Sequence, residues 1–245
     1  MQFNYCAAVG ANALESANTV GYQDIDAPAG SSMRTPTFKA VGGSGYDLTA
    51  IKVVGSEGAG DVCAQTISAE GEWDGEYYYM TVDGAGVPED GWYKDIGGGE
   101  AVEAAEVILP AGGALFVDSQ YNDLSLQVAG EVPVGNLELD VPAGSSQVGN
   151  ALPSPVDLTA IVVAGSEGAG DVCAQSISAE GEWDGEYYYM TVDGAGVPED
   201  GWYKDIGGDE AVEAEEVILA PGEALFVDSQ YNDLVFTLPA VLSAN

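Results

Sequence analysis

The sequence predicts an all-β protein. It reads as two tandem β-sandwich or jelly-roll-like domains produced by an internal duplication, with a strand-like segment in front. Three observations lead there. Residues 47–124 recur as residues 157–234 at a constant offset of 110, and only eight of these positions differ. Within each copy, short runs rich in Val, Ile, Tyr and Phe are separated by clusters of Gly, Pro, Asp and Asn, which is the rhythm of strands and tight turns. The repeating unit, about 110 residues, has the size of a domain and is far longer than a solenoid repeat.

The elements follow in chain order. Residues 1–18 stand outside the repeat. In MQFNYCAAV, Phe3, Tyr5, Ala7 and Val9 alternate with Gln2, Asn4, Cys6 and Ala8, the period of a strand with one buried face. Such a strand either covers an edge of its own first domain or adds to the sheet of a neighbouring molecule. In the second case Phe3, Tyr5, Cys6 and Val9 are the assembly residues. The first domain spans residues 19–129 and the second 130–245. VGYQDIDAPAGSS from Val20 aligns with VGNLELDVPAGSS from Val134, so each unit opens alike. Leu137 and Leu139 alternate with Glu138 and Asp140, as on a half-buried strand. LTAIVV (158–163), VCAQSI, YYYMTV, EVIL, ALFV and LVFTL read as further strands. EAVEAAEVIL fits a strand or a short helix, since Ala and Glu favour the latter.

Charge excludes several functions. There are 41 acidic residues against five basic ones and no His, a formal net charge of −36. Nucleic-acid binding needs clustered Lys and Arg, whereas Arg34, Lys39, Lys52, Lys94 and Lys204 are scattered. Anionic membranes are disfavoured for the same reason. No apolar run is long enough to span a bilayer, so membrane insertion is not expected. The first residues show no signal-peptide pattern. Without His, the commonest general base and transition-metal ligand is missing.

The stretch GEWDGEYYYMTVDGAGVPEDGWYKDIGG begins at Gly71 and recurs without a change at Gly181. Its acids in Gly-rich turns are the hard oxygen ligands that calcium takes. The candidates are Asp83, Glu89 and Asp90, with Asp193, Glu199 and Asp200 in the second copy. The alternative is that these acids are solvated turn residues, and DGAGVPEDG does not match an EF-hand loop. The aromatics offer a binding surface: Trp73, Tyr78 and Trp92, with Trp183, Tyr188 and Trp202. On a strand, Tyr77 and Tyr79 face one way and Tyr78 the other, so one face must be core. Calcium is thus the one cofactor suggested, and a glycan or a host protein the ligand such a surface would suit.

Cys63 and Cys173 occupy equivalent positions and Cys6 stands alone, which is no disulfide framework. Half-buried strand cysteines read as small apolar core residues, while Cys6 could bond another chain. Paired carboxylates such as Glu70 and Glu72 are expected by chance at this acid content. No phosphate loop and no nucleophile–base set is present, so the chain reads as a non-enzyme.

VPAGSSQVGNALPSPVDLTAI (141–161), followed by LAPGEALFV (219–227), resembles β-rich tandem modules of secreted surface proteins of Gram-negative bacteria. Their pattern is G-x-x-x-V-G-N-P-x-P-S-P-x-D, then P-G-x-G-F-F-V. Gly144, Val148, Gly149, Asn150, Pro153, Ser154, Pro155 and Asp157 match, as do Pro221, Gly222, Phe226 and Val227. Ala151, Leu152 and Ala224 depart from it. The resemblance implies an extracellular, non-catalytic β-module. Together the readings point to a structural subunit of an extracellular or cell-surface assembly, a filament or sheet whose partner is the chain itself. The alternatives are a bivalent glycan- or protein-binding adhesin and a virion capsid or fibre protein.

Overall fold

In LELDV, Leu139 and Val141 are buried while Glu138 and Asp140 are exposed, the alternation that a half-buried strand demands. The same logic orders the rest of the chain. A computed structural model of the protein describes residues 20–38, 45–58, 62–67, 73–119, 121–133, 135–167, 172–177, 181–207, 210–229 and 232–239. Phe3, Tyr5, Cys6 and Val9 lie outside the described residues.

The fold is all-β. The first repeat holds β1 (Val20–Ala27), β2 (Gly30–Arg34), β3 (Gly45–Asp47), β4 (Lys52–Val54), β5 (Val62–Ile67), β6 (Trp73–Met80), β7 (Gly91–Gly97), β8 (Glu100–Glu103), β9 (Ile108–Pro110), β10 (Leu115–Ser119) and β11 (Leu124–Glu131). The second holds β12 (Leu137–Val141), β13 (Gly144–Gly149), β14 (Val156–Asp157), β15 (Val162–Ala164), β16 (Val172–Ile177), β17 (Trp183–Met190), β18 (Gly201–Gly207), β19 (Glu210–Glu213), β20 (Ile218–Leu219), β21 (Ala224–Ser229) and β22 (Leu234–Leu238). Each repeat forms the same three antiparallel sheets. The orders are β1-β11-β4, β2-β10-β5-β6-β7-β8 and β3-β9 in the first, and β12-β22-β15, β13-β21-β16-β17-β18-β19 and β14-β20 in the second. Near-identical sequence gives identical topology.

Among the described residues helix is confined to α1 (Val82–Ala85), α2 (Val192–Ala195) and two 3-10 turns at Leu48–Ala50 and Leu158–Ala160. The second 3-10 turn corrects the expectation of one continuous strand through LTAIVV. Asp157 accepts from the Thr159 amide at 3.0 Å and from its hydroxyl at 2.7 Å, so the chain turns before the strand resumes at Val162. EAVEAAEVIL resolves as two strands, β8 and β9, separated by four residues without regular structure.

Core side chains fall into two clusters. In the first, Ile25, Leu124 and Leu126 of the three-stranded sheet meet Ala64, Tyr79, Trp92, Leu115 and Val117 of the six-stranded sheet. In the second, Leu139, Leu234 and Phe236 meet Ala174, Tyr189, Trp202, Leu225 and Val227. A third, smaller cluster joins the repeats. It buries Met33, Ala114 and Ala224, with Phe116, Ile177 and Phe226 packed against it.

The contact between repeats is reciprocal. The Thr35 amide donates to Gly222 O at 2.8 Å, and the Gly149 amide donates to Gly112 O at 2.8 Å. Thr35 and Gly149 are equivalent in the two repeats, and so are Gly112 and Gly222. Bridges pair Arg34 with Glu223 and Val148 with Gly113, again equivalent positions exchanged. Gly112 (φ 72°) and Gly222 (φ 80°) follow Ala111 and Pro221 in tight turns that need a left-handed residue. A Cβ on Gly222 would lie 2.5 Å from Ile25 Cγ2, and one on Gly112 would lie 2.5 Å from Leu139 Cδ1. Each repeat inserts the same turn against the same place on the other.

Candidate functional site

The invariant stretch forms β6–α1–β7 and its copy β17–α2–β18. In the register, Tyr78 faces Tyr93 and Tyr79 faces Trp92 across the two strands. Tyr79 and Trp92 pack edge to face with ring centroids 5.6 Å apart, and Tyr189 and Trp202 do the same. Trp92 is 3% exposed and Trp202 2%, and their indole N–H groups donate to the Ile51 and Ile161 carbonyls at 2.8 and 2.9 Å. The expected binding surface is therefore corrected at Trp92 and Trp202. A ring this large, with its one polar atom satisfied inside, belongs to the core. Tyr78 and Tyr188 face the opposite side of the sheet, as strand alternation requires, and are half-buried. Trp183 is 46% exposed, and its ring lies 4.9 Å from that of Phe226 at the edge of the inter-repeat cluster. The Trp73 side chain lies outside the described ones.

The calcium candidates ring the short helices. Thr81 Oγ1 accepts from the Gly84 amide at 3.0 Å and starts α1. Asp90 Oδ1 accepts from the Val82 amide at 2.7 Å, and Asp200 does the same for Val192. Asp83, Glu89, Asp193 and Glu199 are exposed beside them. Among the described residues no group of three or more His, Cys, Asp or Glu side chains is placed to hold a metal ion. What Asp90 and Asp200 visibly do is tie the turn to the strand end that follows it.

One row of residues crosses the outer face of the second six-stranded sheet: Ser145, Asp228, Cys173, Tyr188, Tyr203 and Glu213. Within it the Tyr188 hydroxyl donates to Glu186, and the Cys173 thiol lies 3.6 Å from the same carboxylate. Burial first, then the Glu186 and Asp228 charges, push the Cys173 thiol up to about 12. Its hydrogen bond to Glu186, with burial, raises the Tyr188 phenol as well. A thiol held protonated in this way is a poor nucleophile. It also corrects the expectation that Cys173 is an apolar core residue: it is half-buried among carboxylates.

Between the repeats lies a cleft of about 670 Å³, lined in part by Gln23, Asp26, Arg34, Asp123, Pro221 and Glu223. Arg34, the single arginine of the chain, donates through Nε to Asp26 O at 2.6 Å and through Nη1 to Met33 O at 2.8 Å. Burial lowers its pKa, against the raising effect of Glu223 and Asp26. The carboxylates are partly committed too. Asp123 accepts from the Ala29 amide at 3.0 Å, and Glu223 from the Ala220 amide at 2.7 Å. The arrangement braces two turns against each other.

The sequence marks Val148, Gly149, Asn150 and Gly222 only as motif matches; it does not show that Val148, Gly149 and Gly222 join the repeats, nor the role of Asn150. That side chain is fully buried. Its Nδ2 donates to Ser154 O at 2.8 Å and Leu219 O at 3.0 Å, and its Oδ1 accepts from the Leu152 amide at 3.0 Å. The motif VGN…PSP is thus a folded knot beneath the turn carrying Gly222. The run's Gly149, next to Asn150, was the available signal, since Gly marks a close backbone approach. Comparison of the chain with protein-family models, with curated proteins and with solved structures finds no match.

Proposed function

We propose that the chain is a non-catalytic structural subunit of an extracellular or cell-surface assembly, a filament or sheet. In this reading each repeat is a two-sheet sandwich domain, and the subunits join through strand edges. The observation that carries it is β1. Among the described residues β1 lies at the edge of its sheet, with Val20 58% and Tyr22 59% exposed. An open edge is a template for another strand, here with Val20, Tyr22, Asp24 and Asp26 exposed on one face, and the sequence of residues 2–9 alternates with the period expected of a donated strand. The conspicuous residues of the duplicated stretch support the same reading. Trp92, Tyr79 and Asp90, with their copies, serve the fold.

Electron microscopy and sedimentation of the full chain at high concentration, with and without calcium, test this. Filaments or sheets are expected. Monodisperse particles under both conditions overturn it. Deleting residues 1–17 should abolish assembly and leave the fold intact if the leader is donated between chains. The second reading, a bivalent adhesin, is favoured by the exposed Trp183, since a flat ring at a surface suits a sugar face. Glycan or host-protein binding that is lost on Trp183→Ala supports it.

A further inference from the structure

We infer that the surface joining the two repeats is a self-pairing surface. Its partner, by chemistry, is another copy of the repeat, with glycine at the Thr35/Gly149 position on at least one side, and this chain carries two copies paired in cis. The argument rests on reciprocity. A contact in which residue i of one unit meets j of the other, while j of the first meets i of the second, is isologous, the signature of a two-fold dimer. Two contacts obey this rule: the backbone pairing, in which the Thr35–Gly222 and Gly149–Gly112 hydrogen bonds form the Arg34–Glu223 and Val148–Gly113 bridges, and the approach of Gly222 to Ile25 and of Gly112 to Leu139.

The chemistry of the surface allows self-recognition. Its bonds run between backbone groups, which both repeats possess. Its apolar part draws Ala114 and Phe116 from one repeat and the equivalent Ala224 and Phe226 from the other. Both partners are acidic, so long-range charge opposes the pairing and apolar burial with backbone bonding must hold it. The chain between β11 and β12, residues 132–136, is short, which keeps the two surfaces at high effective concentration. Gly135 within it has open space where a Cβ would stand, so the connection can be lengthened or cut.

The test uses the full chain with a protease site inserted between Gly135 and Asn136 and cut in the native state. The two pieces are expected to elute together at the mass of the uncut chain, and the more firmly as salt rises, because screening removes like-charge repulsion. Separate elution of pieces that keep their β circular dichroism overturns the inference. A second arm mixes two cut preparations, one with a tag on the second piece, because two first pieces would set Thr35 against Thr35 where a Cβ does not fit. Recovery of untagged second piece on tagged second piece supports self-pairing. Recovery of the first piece alone overturns it. The third arm places Gly149→Val in the cut chain. A Cβ there would lie 2.2 Å from Thr35 Cγ2, so retention should fall at least tenfold. Unchanged retention overturns the assignment of the surface.

Discussion

Met33 and Gln147 occupy the same position in the two repeats, each on the second strand of its unit and opposite Phe116 and Phe226 respectively. Met33 is 1% exposed and Gln147 6%, and neither the Gln147 amide nitrogen nor its oxygen has a hydrogen-bond partner. A buried unsatisfied amide costs about 1–3 kcal/mol. Gln147→Met, close in volume, should therefore stabilise the chain by about that amount, read as a higher midpoint in urea. A lower midpoint would mean that an ordered water or another group satisfies the amide.

The indole of Trp92 holds the Ile51 carbonyl, and Trp202 holds that of Ile161. Trp92→Phe should cost about 1–3 kcal/mol by orphaning that oxygen. Trp92→Ala should cost about 3–5 kcal/mol by opening a cavity as well. Equilibrium denaturation measures both. A Trp92→Ala chain as stable as the parent would return this residue to the surface.

Cys173 should resist alkylation. In a Cys6→Ser/Cys63→Ser background, its reaction with iodoacetamide should stay slow at pH 9.0, the ordinary thiol value, because the group is pushed up to about 12. Glu186→Gln removes one of the charges that raise it and should move the onset of reaction to lower pH. The rate-against-pH curve measures this, and an onset unmoved by the variant would leave burial and the Asp228 charge as the causes.

Asp47 and Asp157 give the acid limb of stability a definite sign. Burial pushes each carboxyl up. Hydrogen bonds from Thr49 and the Val107 amide, and from Thr159 and the Val217 amide, outweigh it and hold both below 3.8. The unfolded chain therefore takes up protons at higher pH than the folded one. The stabilisation is complete above the ordinary value and is lost as pH falls through the depressed folded value. Asp47→Asn/Asp157→Asn should be less stable than the parent at neutral pH by about 1 kcal/mol. The gap should close as pH drops below about 4. Melting curves across that range decide it.

Much of the fold could be read from local pattern. Alternation predicts the burial of Leu139 against Glu138, and the tyrosine run predicts that Tyr77 and Tyr79 point one way and Tyr78 the other. Local pattern fails where a side chain bonds the backbone. Asp157 turns LTA into a 3-10 turn, and Ala and Glu in EAVE carry no preference strong enough to override the sheet edge that takes them. The sequence also leaves a Trp beside acids looking like a binding surface, since only the register shows that Trp92 faces inward. The inter-repeat contact was the least legible part. Gly112, Gly149, Gly222, Ala114 and Ala224 act by what they lack, and small residues leave no periodic trace.

The reciprocal seam makes the number of repeats matter through its parity. A two-fold contact saturates in pairs. An even array can cover every such face within one molecule, whereas an odd array always presents one bare. Adding or removing a single repeat would thus change valence, and a duplication in the gene would turn a chain with no exposed seam into one that must find a stranger to complete it.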